Sequence, residues 1–317
     1  MKVYIQAGLF ACLLSFVFCK ILIPILKKIK IGQNILSYVQ EHKEKGGTPT
    51  MGGIAFVSAA VLSTIIFFKG DEKRLTISIA IGLAYMIVGF IDDLLKKKRE
   101  ENLGLTAWQK LIFQTAIAIF AGIYCWRENL TRLDIPFFDG TLDIGLWILP
   151  LAVFIFIATV NAVNLTDGLD GLAAGVSIPF FAALGGIIIL QDGGEGLPLL
   201  SFALMGALIA YLLFNVSPAC VFMGDTGSLS LGGFAAAIAL FSGNALYLPI
   251  IGACFVFSVI SVILQVIYYK ATKGKRIFLM APAHHHFQEK GYSENRISYA
   301  YFVVTAFLGA VCILNGL

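Results

Sequence analysis

The chain has 317 residues, of which 58% are hydrophobic and only 13% charged, and its mean hydropathy is +0.86. Those values exclude a soluble globular domain. They predict an all-α integral membrane protein, a single polytopic domain over 1–317, with about ten transmembrane helices and a small extracytoplasmic β-hairpin.

Ten apolar runs approach the ~17 to 25 residues that a spanning helix needs: 3–26, 51–68, 75–91, 107–126, 145–160, 172–190, 199–214, 229–243, 246–269 and 297–316. The first is too long for a signal-peptide core and lacks a small-residue cleavage pattern, so it reads as a retained span. The eighth, with 15 residues, is the shortest. Six cysteines (Cys12, Cys19, Cys125, Cys220, Cys254 and Cys312) show no paired spacing and read as small buried apolar residues.

Charge orients these runs. With ten spans, the odd-numbered connections are 27–50, 92–106, 161–171, 215–228 and 270–296, and they hold 15 of the 23 Lys and Arg residues. The positive-inside rule then puts them in the cytoplasm and both termini outside. Asp92, Asp93, Asp167, Asp170, Asp225 and all four histidines fall on that cytoplasmic side.

The first connection ends in KGGTPTMGG, where Lys45, Gly46, Gly47 and Thr48 offer a cation, backbone N–H groups and a hydroxyl to a phosphate. A juxtamembrane anchor with Thr50 as helix cap is the alternative. The third run closes on GFIDDLLKKKR, and adjacent carboxylates about 100° apart on a helix should do different jobs. Between the fourth and fifth runs, Leu133, Ile135 and Phe137 alternate, Asp139-Gly140 signals a two-residue turn, and Leu142 and Ile144 alternate again, which predicts the hairpin.

NAVNLTDGLDG at 161–171 contains no Lys or Arg, and Asn161, Asn164, Asp167 and Asp170 recur every three positions, so a helical turn stacks neighbours on one side. In the 215–233 stretch, Asp225 between glycines can project from a turn towards a ligand, or form an Asx-turn before a Ser228 N-cap. The last connection carries His284, His285 and His286 after Pro282. Consecutive histidines seldom chelate one ion together, whereas they can donate to phosphate oxygens beside Lys273, Lys275 and Arg276.

Aspartates, histidines, lysines and glycine turns on one face of a membrane suit Mg²⁺ and phosphoryl transfer, with a lipid phosphate as one substrate. The motifs GTPTMGG at 47–53, FIDD at 90–93, NAVNLTDGLDG at 161–171, FMGDTGSLSLGG at 222–233 and MAPAHHHF at 280–287 together resemble the phospho-N-acetylmuramoyl-pentapeptide transferase family. The aspartate motifs are shared with the wider polyprenyl-phosphate N-acetylhexosamine-1-phosphate transferases. The triple-His block with its MAP lead-in favours the muramoyl-pentapeptide branch. Ala283, Gln288 and Tyr292 depart from the family pattern but remove no group that the chemistry needs.

The resemblance implies a Mg²⁺-dependent enzyme, usually a homodimer, in the bacterial plasma membrane. It implies UDP-MurNAc-pentapeptide and undecaprenyl phosphate as substrates, lipid I and UMP as products, and no nucleic-acid partner. By the same resemblance, Asp225 matches the metal-binding aspartate, and Asp92 and Asp93 match the pair implicated in activating the acceptor. Lys96, Lys110 and His284 to His286 match phosphate-side and catalytic positions. Lys45, Asp167, Asn215, Phe222 and Gln265 match the nucleoside or inhibitor pocket, with Thr48, Asn161 and Asn164 assigned beside them. Direct attack by the lipid phosphate and a covalent aspartyl route both remain open. A related hexosamine-1-phosphate transferase is one alternative. A transporter is another, but it needs ionisable groups near the bilayer midplane.

Overall fold

The computed structural model describes residues 1–29, 47–98, 104–138 and 140–315. Twelve α-helices form among them: α1 (Lys2–Lys28), α2 (Gly53–Phe67), α3 (Lys73–Lys98), α4 (Ala107–Arg127), α5 (Ile148–Thr166), α6 (Leu172–Leu190), α7 (Gly196–Asn215), α8 (Gly224–Phe241), α9 (Leu248–Ile251), α10 (Ala253–Ala271), α11 (Ala283–Glu289) and α12 (Glu294–Asn315). All except α11 fall on an apolar run, the ninth run holding both α9 and α10. Helices α1, α3, α5, α6, α7, α10 and α12 are each long and apolar enough to cross a membrane, and α2 is apolar but only 15 residues long.

Side chains sort as a lipid solvent requires. On α1, Ala7, Ala11, Ser15 and Cys19 recur every fourth position and are buried, while Leu9, Leu13, Val17 and Ile21 form the opposite, exposed row. Small residues face the bundle because helices without a hydrophobic drive between them associate through close packing. The Ser63 hydroxyl of α2 donates to the Ala7 carbonyl at 2.7 Å, satisfying a polar group where no water is present.

Every residue of α8 is buried. It runs through the middle of the bundle, packed mainly against α3, α5 and α2. The eighth apolar run began at 229, whereas the helix begins at Gly224, because Asp225, Thr226 and Ser228 find hydrogen-bond partners and need not leave the helix. Gly89 of α3 lies directly on the Asp225 backbone, where a Cβ would overlap the Asp225 carbonyl. The ninth run is divided at Gly252, which follows the last residue of α9 and precedes the first of α10.

The two ends of the bundle differ. At one end, strands β1 (Arg132–Asp134) and β2 (Thr141–Asp143) pair antiparallel with Leu133 opposite Leu142. The hairpin is present, but its connection spans 135–140 instead of a two-residue turn; Asp139 lies outside the described residues. Past Asp134 the Ile135 N–H still donates to the Gly140 carbonyl at 3.2 Å, but the Ile135 carbonyl accepts the Phe138 N–H at 3.3 Å, so the regular ladder gives way to a turn there. The Asp134 N–H donates to the Gly243 carbonyl at 2.9 Å, which fixes the hairpin at the C-terminal end of α8. Nearby, the Glu72 carboxylate accepts the Gly196 N–H at the start of α7. The site described next gathers at the opposite end.

Candidate active site

Helix α3 carries Asp92 and Asp93 at its final turns, both almost fully buried. They point to different partners, as their angular separation requires. Asp92 accepts the Leu105 N–H at 2.7 Å through Oδ1 and faces Lys96 Nζ at 2.7 Å and Lys110 Nζ at 3.1 Å through Oδ2. Asp93 faces the start of α8. Its Oδ1 accepts the Asp225 N–H at 3.2 Å, and its Oδ2 accepts the Thr226 N–H at 3.0 Å and the Thr226 hydroxyl at 2.6 Å.

Asp225 lies in the first helical turn of α8, not in a loop turn, and Ser228 is inside that helix with its hydroxyl donating to the Gly224 carbonyl. Nor does Thr50 cap α2: Gly52 occupies that position, without a side-chain cap. The Asp225 carboxylate meets Lys110 and, at 3.3 Å, Lys96 through Oδ2, while Oδ1 accepts from Asn164 Nδ2 at 3.0 Å. The same Asn164 amide donates to Ser228 Oγ at 2.9 Å. Asp225 is 9% exposed, the most open of three carboxylates whose ligand oxygens lie within 4.8 Å of one another. Oxygen-only donors of this kind fit a hard divalent cation better than a soft one. Two ammonium groups oppose the three carboxylates, so the cluster can hold either a cation or the oxygens of a phosphate.

Asp167 follows α5 immediately, beside this cluster. Its pKa is raised well above the usual carboxylate range, first by burial and then by the charges of Asp225, Asp93 and Asp170. Next to it, Gly168 receives the histidines: a Cβ there would lie 2.5 Å from His284 Nε2 and 3.0 Å from His285 Nε2. His284 is fully buried and neither ring nitrogen has a hydrogen-bond partner among the described residues. Burial, reinforced by His285, pulls its pKa down to about 3. His285 Nδ1 is 3.0 Å from Gln288 Oε1, and His286 Nδ1 accepts the Leu279 N–H at 3.1 Å.

The remaining expected residues form the surrounding frame. Asn161 donates to Gln114 Oε1 at 2.8 Å, so it faces α4 rather than the carboxylates. Asn215 accepts the Gly171 N–H and donates to the Val221 carbonyl, fastening two turns together. The Phe222 N–H donates to the Pro49 carbonyl and its own carbonyl accepts the Gly52 N–H, placing half-buried Thr48 beside the start of α8. Gln265 of α10 accepts the Ile277 and Phe278 N–H groups and donates to the Phe278 carbonyl, holding the loop before the histidines. Asp170 accepts the Ala219 N–H at 3.1 Å. Lys45 lies outside the described residues.

Sequence reasoning missed Gln114, Thr226 and Ser261. Ser261 Oγ accepts the Ala283 N–H and so anchors the histidine helix to α10. Gln114 and Ser261 stand in no motif, and Thr226 sits inside FMGDTGSLSLGG without any sign of its role, since each acts on a neighbour brought close only by folding.

Carboxylates and lysines gathered at one end of an apolar helical bundle are the equipment of a polytopic membrane enzyme that handles phosphate groups. The family model described as glycosyl transferase family 4 matches residues 75–243, a segment holding all three carboxylates. The phospho-N-acetylmuramoyl-pentapeptide-transferase of Caldanaerobacter subterraneus subsp. tengcongensis is 44% identical over 309 residues, covering 95% of this chain and 96% of the relative. Those of Clostridium perfringens (strain SM101 / Type A) and Listeria welshimeri serovar 6b are 43% and 41% identical, covering 93% and 98% of this chain and 92% and 98% of the relatives. The chain belongs to the phospho-N-acetylmuramoyl-pentapeptide-transferase family.

Proposed function

We propose that this chain transfers phospho-MurNAc-pentapeptide from UDP-MurNAc-pentapeptide to undecaprenyl phosphate, releasing UMP and forming lipid I for peptidoglycan synthesis. The observation that carries the reading is the convergence of Asp92, Asp93 and Asp225 with Lys96 and Lys110 at one end of the bundle. Phosphoryl transfer asks a protein chiefly for placement and charge balance, and this cluster offers both.

In this reading, an oxygen of the lipid phosphate bonds to the phosphorus attached to the sugar. The bond from that phosphorus to the bridging oxygen breaks, and UMP leaves with the electron pair. Lys96 and Lys110 hold phosphate oxygens and offset their charge. Asp92 steers the acceptor or removes its residual proton. Asp225, the most open carboxylate, is the principal residue that would hold Mg²⁺, with Asp92 beside it. When bound, Mg²⁺ supplies neutralisation of the diphosphate charge. Asp167, Asn215, Phe222 and Gln265 are assigned to the nucleoside end, Thr48 and Asn164 to the donor, with Lys45 assigned there from the sequence alone and Asn161 acting at one remove through Gln114, and His284 to His286 belong to the phosphate side.

The reading also puts this end of the bundle in the cytoplasm of a bacterial plasma membrane, both termini outside, and two chains in a homodimer. Membranes supplied with the UDP-linked donor, undecaprenyl phosphate and Mg²⁺ are expected to release UMP. Failure of correctly folded wild-type protein to do so would overturn the proposal.

A further inference from the structure

Two adjacent aspartates invite the same role, and the hydrogen bonds divide them. Asp93 is 2% exposed, and both its oxygens are directed at the first turn of α8. A carboxylate offers about four acceptor positions. Those of Asp93 serve the Asp225 N–H, the Thr226 N–H and the Thr226 hydroxyl, with Lys96 standing off at 3.9 Å. A proton acceptor in the reaction must come within hydrogen-bond reach of the group that loses the proton. Thr226 is fully buried, so it gives a substrate no path to these oxygens.

The surroundings tighten the same contact. Gly224 has φ +71°, and a Cβ on it would press on both Asp93 Oδ2 and Thr50 Oγ1. Gly89, one turn before Asp93, brings the α3 backbone onto Asp225 itself. A negative group at a helix start is also favoured by the unpaired N–H groups there.

We propose that Asp93 is a positioning residue acting with Thr226: together they clamp the first turn of α8 and hold the Asp225 carboxylate towards Lys96 and Lys110. Asp92 instead turns Oδ2 to Lys96 at 2.7 Å and Lys110 at 3.1 Å, the partly exposed lysines of the site, and Thr226 becomes a residue that turnover depends on without touching substrate. This inference rests on the transferase reading.

The test compares Asp93→Asn, Thr226→Val and Thr226→Ser with wild type in detergent, using Mn²⁺ binding by electron paramagnetic resonance and the pH profile of UMP release. Thr226→Val keeps the shape of the side chain and removes the hydroxyl. It is expected to weaken Mn²⁺ binding about tenfold, ~1.4 kcal/mol, and to lower kcat without moving the acid limb of the profile. Thr226→Ser restores both, and Asp93→Asn shifts both further in the same direction. The clamp is overturned if Thr226→Val binds Mn²⁺ as wild type does, or if Asp93→Asn keeps its Mn²⁺ affinity while its acid limb disappears. Should wild type release no UMP while the Mn²⁺ shifts appear as expected, the transferase reading fails and the clamp stands.

Discussion

His284 makes a quantitative link between acidity and stability. In the folded protein it is fully buried against Gly168, and its pKa lies at about 3, whereas an unfolded histidine titrates near 6.5. Above pH 6.5 both states are neutral at this position and its contribution is constant. Below it the unfolded chain takes up a proton that the folded chain refuses, so stability falls with pH until about pH 3. At pH 5 the loss amounts to ~2 kcal/mol, from about 1.5 pH units at ~1.36 kcal/mol each. His284→Gln, which cannot titrate, removes that slope whatever it does to stability at neutral pH. Thermal unfolding in detergent between pH 7.5 and pH 5 measures both variants. If wild type and His284→Gln lose the same amount over this range, the buried neutral imidazole is not the source of the dependence.

Lys110→Met leaves Asp92 and Asp225 sharing Lys96 alone; kcat/KM for UMP release is expected to fall by about two orders of magnitude, ~2.7 kcal/mol of lost transition-state stabilisation. Asn164→Ala frees Asp225 Oδ1 and Ser228 Oγ together, and a drop of about tenfold in kcat would match one lost charge-assisted hydrogen bond. Gly168→Ala drives a Cβ into the His284 and His285 rings, so both the melting temperature and turnover should decline, and calorimetry beside the UMP assay checks the pair. Chelation of divalent cations should stop UMP release, and Mg²⁺ alone should restore it.

The apolar runs foretold the long helices because burial in lipid demands a continuous stretch from each, and that demand is written locally. Helix α8 shows where the local signal ends. Its first turn, GDTGS, is polar enough to look like a loop, and only the partners supplied by Asp93, Asn164 and the Gly224 carbonyl reveal it as helix. Asp92, Asp93 and Asp225 stand in sequence motifs and Lys96 follows one of them, whereas Lys110 is reached only through the family resemblance. The division of labour between Asp92 and Asp93 could not be read from a motif, since it depends on whether each faces Lys110 of α4 or Thr226 of α8. In the same way Gln265 carried the signature of a pocket residue, yet its amide binds the backbone at 277 and 278.

Helix α8 is buried along its whole length, yet among the described residues it is not one of the seven helices long and apolar enough to cross a membrane by length and composition. A helix enclosed by protein on every side is retained by its neighbours rather than by lipid. Its main neighbours α2, α3 and α5 all precede it in the chain and so leave the ribosome first. The slot that receives Asp225 can therefore be assembled before that residue is synthesised. A substitution lining the slot, such as one at Gly89, would show itself first as failed insertion during translation, before any substrate is met.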